Sequence, residues 1–275
     1  MNGSYFKDKV IIITGASSGI GLASAKLFAS FGAKLALAAR SIDKLEALAR
    51  EISSDPASQI LCVKTDVSKE DDCRNLVEKT VEKFGCIDIL VNNAGISMRA
   101  LFKDCDLSVI KSLMDVNFWG TVYCTKFALP YLLASRGSVV GVISIAGFAG
   151  LPGRTGYSSS KYAIRGFLDT LRIEHLYDGL HVMIFAPGFT ASNVRNAALT
   201  ADGSHQGSTP RDEGKMMSAE ECAMHLAKGL RRRKSEVILT PIGKLTVFMH
   251  NILPRLTDRL EFSYMAKEPG SPFHK

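Results

Sequence analysis

No two cysteines of this 275-residue chain form a CxxC pair. Cys62, Cys73, Cys86, Cys105, Cys124 and Cys222 are scattered singly and do not cluster with the six histidines. That pattern excludes a disulfide framework and a structural metal centre, and it predicts reduced thiols in a cytoplasmic protein without a metal site. No apolar run reaches the roughly 18 to 20 residues of a membrane span. Met1 to Lys9 is short and polar and runs straight into an apolar strand, unlike a signal or transit segment. Lys and Arg exceed Asp and Glu by only 34 to 27, an excess that suits an anionic partner such as a nucleotide phosphate, nucleic acid or a membrane surface. The one dense basic run, Arg231 to Lys234, lacks interleaved aromatics and reads as a solvated helix end, so no nucleic-acid partner is expected. Hydrophobic residues make up 46% of the chain, ample for a core, and no repeat or linker divides it, so a single domain is expected.

Val10 to Ile13 is a β-branched run that breaks at Thr14-Gly15-Ala16-Ser17-Ser18-Gly19-Ile20-Gly21, before an apolar helical stretch from Leu22 to Phe31. Strand, glycine turn and helix in this order aim backbone N–H groups and a helix N-terminus at a phosphate. Gly15 permits the turn, Gly19 lets backbone approach a pyrophosphate, and Gly21 allows close packing of helix and strand. The second strand, Leu35 to Ala39, ends in Ala39-Arg40. An acidic tip would bind ribose hydroxyls; a basic Arg40 suits a 2′-phosphate, so NADP(H) is preferred over NAD(H), against the plainer reading of a surface arginine.

Helix Lys44 to Ile52, strand Gln59 to Lys64, helix Lys69 to Phe84 and strand Ile87 to Val91 continue the alternation that builds a parallel α/β sheet. Asp66-Val67 lies where such sheets bind ligands: Asp66 either accepts an adenine amino group or serves the next helix. Asn92-Asn93-Ala94-Gly95 either braces the neighbouring strand or contacts a cofactor. Asp106 to Ser135 reads as helix with Asn117 in its middle, a residue whose buried amide needs a reason such as a structural water. A fifth strand, Gly137 to Ser144, ends on Ser144, either a cap or a side chain converging on one small group with Tyr157.

Tyr157 and Lys161 are four residues apart and share one face if helical, as expected to about Tyr177. Either this is a chance spacing on a solvated face, or a fixed ammonium favours the phenolate and pulls the tyrosine pKa down from about 10 toward catalytic use. Strand Leu180 to Ala186 leads into Pro187-Gly188-Phe189-Thr190. The aperiodic stretch from about residue 190 to 215 reads as disorder or, at a ligand edge, as a mobile lid. Helix Ser218 to Leu230 and strand Glu236 to Leu239 follow. In the tail from residue 241 to 275, Leu245, Phe248, Met249, Ile252, Leu253, Leu256 and Leu260 recur at helical spacing, with a break at Pro254. This extension either packs near the substrate side, makes a subunit contact, or meets a membrane surface with the help of Lys244, Arg255 and Arg259.

Taken together, Thr14 to Gly21, Asn92 to Gly95, Asn117, Ser144, Tyr157 with Lys161, and Pro187-Gly188 resemble the short-chain dehydrogenase/reductase family over residues 7 to 240. The resemblance implies a single-domain, Rossmann-like, doubly wound seven-stranded parallel sheet with helices on both faces. It makes Asn117, Ser144, Tyr157 and Lys161 a catalytic tetrad. In it Ser144 bonds the substrate oxygen, Tyr157 exchanges its proton, Lys161 binds the nicotinamide ribose and lowers the tyrosine pKa, and Asn117 holds a relay water. Expected cofactor contacts are Gly15, Ser17, Ser18, Gly19, Ile20 and Gly21 in the turn; Arg40, Asp66 and Val67; Asn93, Ala94 and Gly95; Tyr157 and Lys161; and Pro187, Gly188 and Thr190. The implied activity interconverts a carbonyl and a secondary alcohol with NADP(H). Ile96, Met98, Phe148, Leu151 and Phe189 suggest an apolar substrate, and a looser likeness of the tail points to lipid- or steroid-like ketones. A homodimer or homotetramer through the helices near 106 to 135 and 157 to 177 is implied. The alternative is an NADP(H)-binding sensor or scaffold with little turnover.

Overall fold

The structure, a computed structural model, describes residues 3–53, 59–190, 197–207, 214, 216–268, 270, 271 and 273. Seven parallel strands, β1 (Val10–Thr14), β2 (Lys34–Ala39), β3 (Ile60–Lys64), β4 (Ile89–Asn92), β5 (Ser138–Val142), β6 (His181–Ala186) and β7 (Glu236–Ile238), form one sheet in the order β3-β2-β1-β4-β5-β6-β7. The order reverses direction between β1 and β4, which opens a crevice at the carboxyl ends of those two strands.

The central strands are apolar without interruption because both faces are covered. Ile11 and Ile13 of β1 point into one core with Phe28, Leu45 and Leu226, while Ile12 between them joins Cys73, Leu132 and Leu168 in the other. The first layer comes from helices α1 (Gly19–Ser30), α2 (Ile42–Ile52) and α7 (Ala219–Arg231). The second comes from α3 (Glu70–Phe84), α5 (Gly120–Ala134) and α6 (Thr155–Glu174). The doubly wound parallel architecture implied by the resemblance is therefore the observed one.

The long helix expected from Asp106 to Ser135 is not uniform. Helix α4 (Leu107–Leu113) runs into a π-helical stretch, Met114–Trp119, and then into α5. Asn117 sits in that stretch, where the backbone widens to i→i+5 spacing. The fifth strand stops at Val142, two residues short of Ser144, because the chain turns there into a 3₁₀ turn, Ile145–Gly147. The basic run follows the end of α7, where Arg233 donates to the carbonyls of Arg136 and Gly179 at the amino-terminal edge of the sheet, away from the crevice.

Half of the expected lid, residues 191–196, 208–213 and 215, lies outside the described residues. Within 197–207, Leu199 pairs with Met98 and the Ala201 carbonyl accepts from the Asp106 N–H at 2.9 Å, so this piece lies on the segment after β4. The tail forms two helices, α8 (Pro241–Ile252) and α9 (Pro254–Ala266), parted at Leu253 before Pro254. The start of α8 lies on the 3₁₀ turn after Ser144: a Cβ at Gly243 would come 2.7 Å from Ile145 Cδ1. Beyond α9, Glu268 pairs with Arg99 at 3.6 Å, with side chains only 6% and 12% exposed. No described helix is long and apolar enough to cross a membrane.

Candidate active site

At the carboxyl end of β1 the chain needs two left-handed residues, Gly15 at φ +66° and Gly19 at φ +53°. Gly21 is fixed by space rather than by φ: a Cβ there would sit 2.3 Å from the Gly15 carbonyl oxygen. The turn delivers the chain to α1, whose N-cap Ser18 is extended, exposed and makes no capping bond with its side chain, and whose first turn carries no acidic residue. Free amide donors at the positive end of a helix dipole, without a competing carboxylate, fit the phosphates of a dinucleotide. Ser17, Gly19 and Ile20 line the same turn half-buried.

Thr14 ties this turn to β4. Its Oγ1 accepts from the N–H groups of Asn93 and Ala94, both at 3.0 Å, and the Asn93 amide donates to the carbonyls of Thr14 at 2.9 Å and Gly15 at 3.3 Å. The bracing part of the Asn-Asn reading is thus observed at Asn93, while the Asn92 amide donates to Thr125 on α5 at 3.0 Å. Asp66 Oδ1 accepts from the Ser68 N–H and hydroxyl at 3.1 and 2.7 Å, shaping the lead into α3, and Val67 is buried against Gly120. Arg40 is exposed just beyond β2, on the same edge. Gly188 presses against Thr240, and Thr190, buried beside exposed Phe189, donates to the Gly188 carbonyl at 3.3 Å next to buried Pro187.

The four tetrad positions converge beyond β4 and β5. Asn117 is wholly buried, and its amide makes a two-way pair with the backbone of Ile96: Oδ1 accepts at 2.8 Å and Nδ2 donates at 3.0 Å. Nδ2 also donates to Ser160 Oγ at 2.9 Å, and that hydroxyl donates to the Tyr157 carbonyl at 2.8 Å. The buried amide in mid-helix thus finds protein partners in Ile96 and Ser160. Gly95 is exposed at the meeting point; a Cβ there would lie 3.1 Å from Asn117 Oδ1 and 3.4 Å from Lys161 Nζ.

Ser144 caps the 3₁₀ turn, its Oγ accepting from the Ala146 N–H at 3.2 Å, and its hydroxyl is near enough to the Tyr157 phenol to favour the phenolate. Lys161, 4% exposed, donates from Nζ to the Val142 carbonyl at 2.9 Å and lies 5.7 Å from the centre of the Tyr157 ring. Burial pulls its pKa down from 10.5 to about 8.

For Tyr157 the structure reverses the expected direction. Burial raises its pKa above 10, and the opposing influences are the Ser144 hydrogen bond and the positive charge of Arg154; the Lys161 ammonium is not among them. Helical spacing brings two side chains onto one face but carries no information about how dry that face is.

The sequence reading missed three residues. Thr14 lies one position ahead of the glycines, and its only signal is a hydroxyl at a buried strand end. Ser160 is indistinguishable from Ser158 and Ser159 until helix phase is known; Ser158 instead accepts from the Leu151 N–H at 3.2 Å. Arg154 carries the clearest signal, a lone charge in an otherwise small and apolar connection. Of the expected pocket residues, Met98 and Phe148 are buried and Ile96 and Leu151 half-buried. A cleft of about 650 Å³ separates α9 from α6, lined by Leu151, Ser158, Ser159, Tyr162, Glu261 and Phe262. It faces a different side of α6 from Tyr157 and Lys161. Among the described residues no group of His, Cys, Asp and Glu is arranged to hold a metal ion.

A sequence model described as short chain dehydrogenase matches residues 9–202. The chain belongs to the short-chain dehydrogenase family. Similarity to curated relatives agrees. The chain is 34% identical over 275 residues to dehydrogenase/reductase SDR family member 7B of Rattus norvegicus, covering 98% of this chain and 85% of the relative. It is 37% identical over 267 residues to 11-beta-hydroxysteroid dehydrogenase 1A of Arabidopsis thaliana, covering 91% and 73%. Among solved structures, an alcohol dehydrogenase from the archaeon Thermococcus sibiricus, complexed with 5-hydroxy-NADP, superposes with a TM-score of 0.75 at 27% identity, covering 85% of this chain and 96% of that one. The protein is a member of an oxidoreductase family, and its fold and the spacing of its motifs are those the resemblance implied.

Proposed function

We propose that the protein interconverts a carbonyl and a secondary alcohol, using NADP(H), on a largely apolar substrate. The observation that carries this reading is the meeting of Ser144, Tyr157 and Lys161 beside Gly95, next to a phosphate-suited turn at one sheet edge. The nicotinamide supplies or takes the hydride at carbon. In reduction, charge develops on the substrate oxygen; the Tyr157 phenol gives that oxygen its proton and Ser144 Oγ holds it by a hydrogen bond. In oxidation the proton returns to Tyr157. Lys161 places a cation beside the cofactor ribose, and Asn117, through Ile96 and Ser160, fixes the distance between the wall after β4 and the tyrosine helix.

The preference for NADP(H) rests on exposed Arg40 following Ala39, where no carboxylate competes for ribose hydroxyls. The apolar substrate rests on the wall itself: Met98, Ala100, Val109 and Leu113 form a cluster against which Ile96, Leu199 and Tyr157 pack. The Arabidopsis relative's name, a hydroxysteroid dehydrogenase, is in keeping with that chemistry. Exposed Trp119 at the end of the π-helical stretch, Tyr131 on α5, Ile173 on α6 and Leu176 and Tyr177 just past it support a homo-oligomer built on these helices.

The test is NADPH oxidation, followed by its absorbance, over a panel of steroid, long-chain and aromatic ketones, with Tyr157→Phe as control. We expect turnover in the parent, a loss of about 10²- to 10⁴-fold in the variant, and unchanged NADPH binding. Full activity in Tyr157→Phe would reject the mechanism, and binding without turnover across the panel would favour a sensor.

A further inference from the structure

Half of the exposed large apolar side chains among the described residues lie within residues 241–266. They are ordered by helix period. On α8, Ile242, Leu245, Phe248 and Ile252 follow one another at steps of three, three and four, which sets them along one side, and each is at least 58% exposed. Leu253 continues the strip across the joint, and exposed Leu256 and Leu260 carry it along α9. The other sides hold the helices to the domain: Gly243 lies against Ile145, Val247 packs on the second core layer, and Thr257 and Met265 are buried. Each helix is therefore pinned along one side and leaves a strip of large apolar side chains to solvent, the kind of surface that marks an interaction site.

The charges of the tail are sorted by sign. Of its described acids, Asp258 and Glu261 line the cleft that faces α6, and Glu268 pairs with Arg99 at 3.6 Å. Its cations Lys244, Arg255, Arg259 and Lys267 are exposed. Three of them edge the strip: Lys244 lies one turn ahead of Phe248, and Arg255 and Arg259 each precede one of its leucines, about 100° around the helix. An apolar strip edged by cations fits the boundary of a bilayer that carries anionic lipid, where the side chains enter the acyl region and the cations meet headgroups. A second copy of the chain fits it poorly. Isologous pairing of this face would bring the same cations together with none of the tail's acids on the strip to answer them.

We propose that α8 and α9 form a membrane-docking surface, which lays the strip from Ile242 to Leu260 into the headgroup boundary of an anionic bilayer with Lys244, Arg255 and Arg259 against lipid anions. At 12 and 13 residues the helices are too short for a hydrocarbon core of about 30 Å, so they lie in the plane of the surface. The same segment borders the site. Thr240 lies against Gly188, Gly243 against Ile145 next to Ser144, and Glu268 reaches Arg99 on the wall. Docking sets this side of the domain on a phase in which apolar molecules concentrate. It is independent of the proposed reaction and is read without turnover.

The test is co-sedimentation of the full chain with vesicles of phosphatidylcholine alone and of phosphatidylcholine mixed with phosphatidylserine, at low and raised salt. The parent is expected to pellet with the mixed vesicles, less with the neutral ones, and to lose the difference as salt rises. Phe248→Ser combined with Leu260→Ser should weaken binding to both vesicles by roughly tenfold or more, with NADPH binding unchanged. Lys244→Gln, Arg255→Gln and Arg259→Gln together should remove the preference for phosphatidylserine, about fivefold for each cation. Arg231→Gln with Arg232→Gln, in the basic run after α7, should pellet as the parent does. A parent that stays in the supernatant with both vesicles overturns the proposal. So does parent-like binding by either tail variant, or loss of binding in the Arg231, Arg232 variant. A parent that self-associates in sedimentation velocity, with the serine variant monomeric and neither on vesicles, also overturns it, in favour of contact between two copies. Should the serine variant fail to fold, the glutamine variant, which alters only exposed charges, decides. Ketone turnover, present or absent, leaves the vesicle result standing, so failure of the proposed reaction and failure of docking are read apart.

Discussion

The Lys161 ammonium is held 2.9 Å from the carbonyl oxygen of Val142, the last residue of β5, in a setting that leaves it 4% exposed. A pKa pulled down from 10.5 to about 8 means that the folded state is strained by carrying the charge at neutral pH, by about 3 kcal/mol. Between pH 8 and 10.5 the unfolded lysine binds a proton that the folded one has lost, so this penalty fades as pH rises through that window. Lys161→Met loses one hydrogen bond, worth about 1 kcal/mol. The variant is therefore expected to be more stable than the parent by about 1–2 kcal/mol at pH 7, with the difference closing by pH 10, and to be inactive. Urea midpoints at the two pH values check this; a less stable Lys161→Met at pH 7 would contradict it.

Gly21 and Gly166 form a contrast. A Cβ at Gly21 would collide with the Gly15 carbonyl at 2.3 Å, while one at Gly166, exposed on α6, would meet nothing within 4 Å. Gly21→Ala is expected to raise the NADPH dissociation constant at least tenfold, about 1.4 kcal/mol, and to cost about 1–3 kcal/mol of stability. Gly166→Ala, replacing a mid-helix glycine, should gain about 0.5–1 kcal/mol with binding unchanged. Fluorescence titration and thermal melts distinguish the two.

Arg40 projects from the end of β2 with no carboxylate beside it in sequence. If it meets a 2′-phosphate, Arg40→Ala removes a charge-assisted contact of about 1.5–3 kcal/mol. The ratio of kcat/KM for NADPH over NADH should fall by roughly tenfold or more, with NADH little affected. An unchanged ratio would remove the NADP(H) assignment.

The Arg99–Glu268 pair anchors the end of the chain to the substrate wall, and both side chains are nearly buried. Removing one partner of a nearly buried ion pair costs up to about 3–5 kcal/mol. Since α9 can detach at less cost than the whole domain, the expected outcome of Glu268→Ala is faster proteolysis within 241–268 at unchanged global stability. The double variant Arg99→Met, Glu268→Met should recover much of the protection.

What the sequence made legible follows from physical period. Strands buried on both faces are written as unbroken apolar runs, so β1 and its neighbours were readable to within a residue or two, and the glycines of the first turn are demanded by φ or by space. Asn117 was visible as an anomaly because a buried amide in a helix must be answered for; its answers, Ile96 and Ser160, come from remote parts of the chain and leave no local trace. Arg154 stood out as a lone charge in a small, apolar connection, but its partners at Ser97 and Met98, more than fifty residues away, leave no local trace. The sign of the tyrosine shift was unreadable, because solvent access belongs to the assembled site and not to a spacing.

The π-helical stretch from Met114 to Trp119 makes the catalytic geometry depend on a count of residues as well as on their kinds. An α-helix advances about 100° per residue, and a widened turn absorbs one residue without passing that rotation on. Deleting a single residue there would let α4 and α5 fuse into one regular helix with their outer faces still in phase, and would take Asn117 out of the widened turn that holds it. The chain thus spends one residue of helical regularity to serve two masters, a sheet edge on one side and an exposed aromatic face on the other. Engineering of this segment has to preserve its length before its composition.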